Sequence, residues 1–341
     1  MAKYEDLFIR STLSDTNTIP RIGSQSRSPD IIPYGMAPVE NPQTFFSSNY
    51  NSDVGQDLVS NSRNYLYMRA KNYLAGANSG EFSLYYAPSN VILYPAQWRN
   101  NILKTSDGQT KVPVSVAGEG DIAVTNNPFT WVPNIPGSGY HYCLIGVIDT
   151  SRHPNPIPNI TAISNMAEWV ANNGGIGWRN VAVTTKGAAT FTTEVPYEQG
   201  DEPYQVFFSI ECQNTPVGSE VSFSAGTPTG GKPIYLPRTT VTRSDTFNVG
   251  MDTYVNAGFE TNISYSWWAN NTTAPGNMSI AIKARVESNG NDVIAKIGYT
   301  PEELGIADAL HYDCGRGVCS LHAARGPIKM FTVGEMYTLQ G

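Results

Sequence analysis

Apolar and polar residues alternate in short runs along most of this chain, and turn-forming residues separate the runs. In Asn64-Tyr65-Leu66-Tyr67-Met68-Arg69-Ala70, the side chains of Leu66, Met68 and Ala70 fall on one side of an extended segment. Tyr65, Tyr67 and Arg69 fall on the other. A period of two belongs to a half-buried strand, so this stretch predicts a strand with a wet aromatic outer face. Comparable runs lie at 82–86, 91–94, 112–116, 122–125, 140–148, 181–184, 189–195 and 204–212, and then at 239–249, 259–268, 278–287, 293–297 and 328–339. Closely spaced strands of this kind build sandwiches or barrels rather than βαβ units. The 31 Gly and 23 Pro supply turns, and the 19 Tyr suit half-buried strand faces.

Two segments read as short helices. Ile163, Met166, Trp169 and Val170 recur at helical spacing and Asn172-Asn173-Gly174-Gly175 stops them, giving a helix over about 161–172. Thr300-Pro301-Glu302-Glu303 matches a capping box with proline at the first helical position, which predicts a second helix over about 301–311. The Asn289-Gly290 pair predicts a hairpin between strands 278–287 and 293–297. The Gly-, Thr- and Pro-rich stretch after residue 214 suggests a domain boundary. The expected organisation is an extended N-terminal segment at 1–35, a β-sandwich at 36–214 and a second β-rich domain at 215–341.

Charged residues make up only 15 % of the 341, and the formal net charge is −7. That balance argues against nucleic acid, whose phosphates demand a basic stripe. No run of 18 apolar residues is present to cross a bilayer as a helix. The opening MAKYEDLFIR lacks the apolar stretch of a signal peptide. A secreted or particle-associated location, reached by another route, is expected over a cytoplasmic one.

Three stretches together resemble a known family. They are Asp6-Leu7-Phe8-Ile9-Arg10-Ser11, then Asn127-Pro128-Phe129-Thr130-Trp131-Val132-Pro133 leading to Tyr140-His141-Tyr142-Cys143-Leu144-Ile145, and Asn173-Gly174-Gly175-Ile176-Gly177-Trp178-Arg179-Asn180-Val181. This set resembles the bacterial cell-adhesion-related, immunoglobulin-like domains of secreted and surface proteins, over about residues 4–213. The resemblance implies an immunoglobulin-like first sandwich and a largely non-catalytic module; residues 215–341 carry no such likeness. Alternation within Phe129-Thr130-Trp131-Val132-Pro133 makes Trp131 a predicted core plug.

Chemistry-bearing residues are sparse. His311, Cys314, Cys319 and His322 fall within twelve residues, and two thiolates with two imidazoles are a zinc ligand set. A Cys314–Cys319 disulfide is the competing reading, and free thiols with unconnected histidines a third. Cys143 and Cys212 sit in predicted strands as small buried hydrophobes. His141 and His153 have no carboxylate at a suggestive spacing. Residues 226–232 match the opening of a phosphate loop, but Pro233 stands where Ser or Thr is needed, so they read as a connection. In Ser264-Tyr265-Ser266-Trp267-Trp268, adjacent residues of a strand face opposite ways, so one tryptophan can be exposed. Tyr265, Trp267 and Trp268 are therefore candidate binding residues for a protein or a glycan.

The expectation is a mainly β chain of two β-sandwich domains, the first immunoglobulin-like, with two short helices. Its expected role is that of a non-enzymatic structural or interaction protein of bacterial type, free of cofactors unless a structural zinc is bound. It would bind a protein or self-assemble into a homo-oligomer or larger assembly, and a toxin-associated module also fits. A carbohydrate-binding adhesin using an exposed Trp is the alternative, followed by a zinc-dependent hydrolase built on the 311–322 cluster.

Overall fold

The computed structural model describes residues 2–22, 25–134, 141–181, 189–313, 317–321, 324 and 326–340. The chain is mainly β and divides into two compact units. Unit one comprises Met1–Pro88, Tyr94–Asn159 and Trp169–Val183; unit two comprises Ser89–Leu93, Ile160–Glu168 and Thr184–Gly341.

The elements from the N-terminus are β1 (Ala2–Lys3), β2 (Leu7–Phe8), β3 (Thr18–Ile19), β4 (Ile31–Pro33), α1 (Pro42–Ser48), β5 (Asn64–Asn72), β6 (Asn78–Pro88), β7 (Lys104–Thr105), β8 (Val112–Val116), β9 (Ile122–Val124), β10 (Phe129–Trp131), β11 (Tyr142–Thr150), α2 (Ile163–Asn172) and β12 (Ile176–Val181). In unit one, β5 is the hub of one sheet, pairing with β2, β4, β9 and β10. The facing sheet runs β12-β11-β6-β8. Leu66, Met68, Phe82, Leu84, Phe129 and Leu144 fill the space between them. Gly146 leaves room there: a Cβ would lie 2.3 Å from the terminal methyl of Met68 and 3.1 Å from Ile31, so a larger residue would push both side chains aside.

Both predicted faces of the 64–70 strand are present, but the outer one is dry. Tyr67 is fully buried against Phe46 of α1, a helix the sequence reading missed, and its hydroxyl accepts from the Val39 amide at 2.8 Å. Arg69 is fully buried as well, donating from Nε to Asp30 at 2.8 Å. Its two terminal nitrogens reach the carbonyls of Phe46, Asn49, Pro29 and Ser52. The N-terminal segment expected to be extended is stitched into the same unit: β2 pairs with β5, and Arg10 forks onto Asp30. Trp131 is not the core plug. It stacks on Tyr86 at 5.0 Å on the rim, while Phe129 two residues earlier is fully buried.

Unit two contains β13 (Thr190–Glu198), β14 (Tyr204–Gln213), β15 (Glu220–Ser224), β16 (Tyr235–Thr240), β17 (Thr246–Val255), β18 (Glu260–Trp268), β19 (Met278–Glu287), α3 (Val293–Ile297), β20 (Leu310–Asp313), β21 (Gly317–Ser320) and β22 (Met330–Gln340). One sheet has the order β13-β18-β15-β16 and the other β21-β20-β17-β14-β19-β22. The two sheets meet through Tyr197 against Phe208, rings 5.0 Å apart, and through the Tyr265 hydroxyl, 2.7 Å from Thr338 Oγ1. The predicted boundary at 214 falls inside this unit, because β14 pairs on both sides with strands that follow it. Residues 89–93 belong here too: Val91 N donates to Pro196 O, and Val91 O lies where a Cβ on Gly334 would collide at 1.8 Å. From 160–168, Thr161 O accepts from Asp201 N, and Ser164 N donates to Glu202.

Three local expectations are corrected here. Residues 293–297 form a helix instead of a returning strand, since Asp292 accepts from Ala295 N and caps it. The Thr300–Glu303 capping box forms in both directions, at 2.8 and 3.3 Å, yet the predicted helix over 301–311 ends after one turn. Gly305 adopts φ +68°, which sends Ile306 and Ala309 into an apolar cluster with Phe207 and Met330 before β20 begins. The predicted strand 239–249 is two strands, β16 and β17, on different sheets. Residues 226–232 are an irregular link into β16, with no helix to receive phosphate.

Candidate interaction surface

The period of two in β18 sorts the candidate aromatic residues. Tyr265 and Trp267 point into the sandwich and are fully buried, so neither is open to a ligand. Trp268 points outward and is partly covered: the Arg238 guanidinium lies 4.1 Å above its ring. Arg238 is itself held by Glu220 at 2.5 Å. The Glu220 carboxyl is lowered in pKa, first by a hydrogen bond from Asn270 and then by Arg238 acting against the effect of burial. Of the three predicted binding residues, only Trp268 reaches the surface.

Around Trp268 the outer face of this sheet carries short hydroxyl side chains bordered by the carboxylates of Glu194 and Glu220, with Ser266 buried among its neighbours. Register places Thr192, Ser266 and Ser222 in one row, and Glu194, Ser264 and Ser224 in the next. Thr190, Trp268 and Glu220 form the row at the end. Thr192 Oγ1 and Ser266 Oγ share a hydrogen bond at 2.8 Å. Short hydroxyl side chains cost less to desolvate than charges and lose little rotamer freedom when covered. The alternation in the sequence contains this face, but the pairing of three strands is needed to see it as one surface.

Of the predicted metal set, only the side chain of His311 lies among the described residues. His311 is buried on β20, with Nε2 turned to Asp252 Oδ1 and its ring stacked on Phe207. The second Asp252 oxygen accepts from Gln205 Nε2. Cys314 and His322 lie outside the described residues, as does the side chain of Cys319. Among the described residues no group of three or more His, Cys, Asp or Glu is arranged to hold a metal ion.

The other candidates resolve into structural roles. Cys143 and Cys212 are buried thiols, Cys143 donating to Asn180 and Cys212 pushed far up in pKa by burial. His141 is buried and its pKa falls to about 4 through desolvation. His153 does have a carboxylate partner, one that sequence distance conceals: its Nδ1 lies 2.7 Å from Asp6. Burial raises the Asp6 pKa, but hydrogen bonds from Thr150, Asn78, His153 and the Leu7 amide outweigh it and leave the group below its usual value.

No family profile matches the chain, and no curated protein matches its sequence. Among solved structures it has weak similarity to red sea bream transglutaminase, at 10 % identity and TM-score 0.20 over 68 % of this chain and 28 % of that one. The secreted serine protease VesC from Vibrio cholerae gives 9 % and 0.19, over 67 % and 48 %. The collagen adhesin from S. aureus gives 8 % and 0.19, over 68 % and 84 %. The chain thus spans less than half the length of the first two. The likeness to the bacterial adhesin is distant and structural, and at these scores it carries no argument about function.

Proposed function

We propose that this chain is a non-catalytic β-sandwich interaction protein of bacterial type, which self-assembles or binds a protein through the outer face of the β13-β18-β15-β16 sheet. The observation that carries this reading is the set of accessible hydroxyls on Thr192, Ser222 and Ser264, bordered by the Trp268–Arg238 pair. Tryptophan and arginine are the residues most often found as interface anchors, and the short hydroxyl side chains beside them can be covered at small desolvation cost. A secreted, surface or particle-associated subunit fits, because a chain with 15 % charged residues has little self-repulsion to hold copies apart.

Light scattering after size exclusion, over a concentration series, tests the proposal against the variant Thr192→Lys/Ser264→Lys. Growth of particles with concentration in the parent and its loss in the variant supports assembly through this face. A 37.1 kDa monomer at every concentration refutes self-assembly and leaves a heterologous protein as the partner to seek.

A further inference from the structure

At one end of the six-stranded sheet, away from the hydroxyl-bearing face, a cleft of about 600 Å³ opens on the face opposite the sandwich core. Tyr254, Gln205 and Glu287 form its base on the adjacent strands β17, β14 and β19. Gln205 and Tyr254 are direct register partners, and Glu287 lies one residue beyond the Val206–Val286 pair. Tyr204 and the 288–289 loop make the walls.

We infer that this cleft is a binding site for a neutral saccharide. Two tyrosine rings supply the apolar surface on which the CH face of a sugar ring stacks. Gln205 and Asn289 supply the acceptors and donors that hydroxyls need, above a floor in which Glu287 is buried. The polar groups are held in place beforehand. Gln205 Nε2 is tied to Asp252, which His311 braces from behind. Ser288 is fixed by donating to Asp292 at 2.8 Å, and Asn289 by accepting from the Asn291 amide at 3.1 Å. The Tyr204 phenol is protonated and a donor at physiological pH, as any tyrosine is, and burial together with Asp292 and Glu202 pushes its pKa further up to about 12. None of the lining residues is Lys, Arg or His, so the site selects against sulfated, phosphorylated or acidic sugars.

Saturation-transfer NMR with the full chain tests this, using methyl glycosides of glucose, galactose, mannose and N-acetylglucosamine and their β-linked disaccharides. Transfer to at least one sugar is expected, weakened about tenfold or more by Tyr254→Ala and reduced by Asn289→Ala. Tyr254 is 45 % exposed, so its loss leaves the fold intact, and Trp268→Ala should leave binding unchanged. Silence across the panel overturns the inference, as does transfer that neither cleft variant diminishes. Preferential binding of lysine methyl ester overturns it too, making the cleft a cation site. None of these results depends on whether the chain assembles.

Discussion

Arg69 and Asp30 meet at 2.8 Å with neither side chain exposed to solvent. The pair is anchored further by Arg10, which reaches the same carboxylate at 2.6 Å, and by four carbonyls that receive the Arg69 terminal nitrogens. One side chain thus ties β5 to the segment before β4 and to the turn after α1.

Removing that guanidinium leaves a buried carboxylate short of a partner and takes a donor from four carbonyls, of which Asn49 O keeps the Ser52 amide. Arg69→Met is therefore expected to lower the stability of the chain by about 3–5 kcal/mol. Urea denaturation followed by tryptophan fluorescence checks this; a loss within 1 kcal/mol would show that water enters and replaces the guanidinium.

His141 gives the chain an acid-sensitive step. Its folded-state pKa of about 4 lies below the ordinary 6.5, so between those values the unfolded chain binds a proton that the folded chain refuses. Stability therefore falls as pH drops from 6.5 toward 4, by roughly 3 kcal/mol at the lower limit. His141→Phe should flatten that part of the stability profile in a denaturant series at pH 7.5, 5.5 and 4.5. An unchanged slope would assign the loss to other groups.

Asp6 acts lower on the scale. Its carboxyl titrates below the ordinary 3.8, so its contribution is present above that value and disappears as pH falls through the folded-state pKa. Asp6→Asn keeps most of the shape but removes the charge that Thr150, Asn78 and His153 address. Acid unfolding of the variant is expected to lose its steepest portion below pH 4, read by circular dichroism.

The two adjacent tryptophans of β18 should behave as opposites. Trp267→Ala empties a fully buried site and is expected to cost about 3–5 kcal/mol. Trp268→Ala removes a half-covered ring and one cation–π contact, with a cost of about 1 kcal/mol. Thermal unfolding of both variants, together with their assembly state, separates core from surface. Comparable losses would mean that Trp268 is covered in solution.

Much of the fold was legible because period-two alternation is a local property. The strands at 64–70, 204–212, 259–268 and 278–287, and the 161–172 helix, all lie where the pattern puts them. What failed was decided by partners distant in sequence. Tyr67 and Arg69 read as solvent-facing until α1 and the turn after it cover them. The capping box at 300–303 forms as written, but a left-handed Gly305 and the pull of the Phe207 cluster end the helix at once. His153 looked solitary because Asp6 stands 147 residues away. The hydroxyl-bearing face of β13-β18-β15 and the cleft were invisible for the same reason: each needs three strands in register.

Neither compact unit is an unbroken stretch of sequence. Unit one is complete only when Val183 has been made, whereas unit two takes in Ser89–Leu93 and Ile160–Glu168 ahead of its main body. During synthesis those two early pieces leave the ribosome well before the strands that receive them, Val91 waiting for Pro196 and Gly334. Vectorial folding can close the first unit while the second remains open until β22 has been made. A gene fragment cut at residue 184 would likewise encode a second sandwich missing two of its own parts.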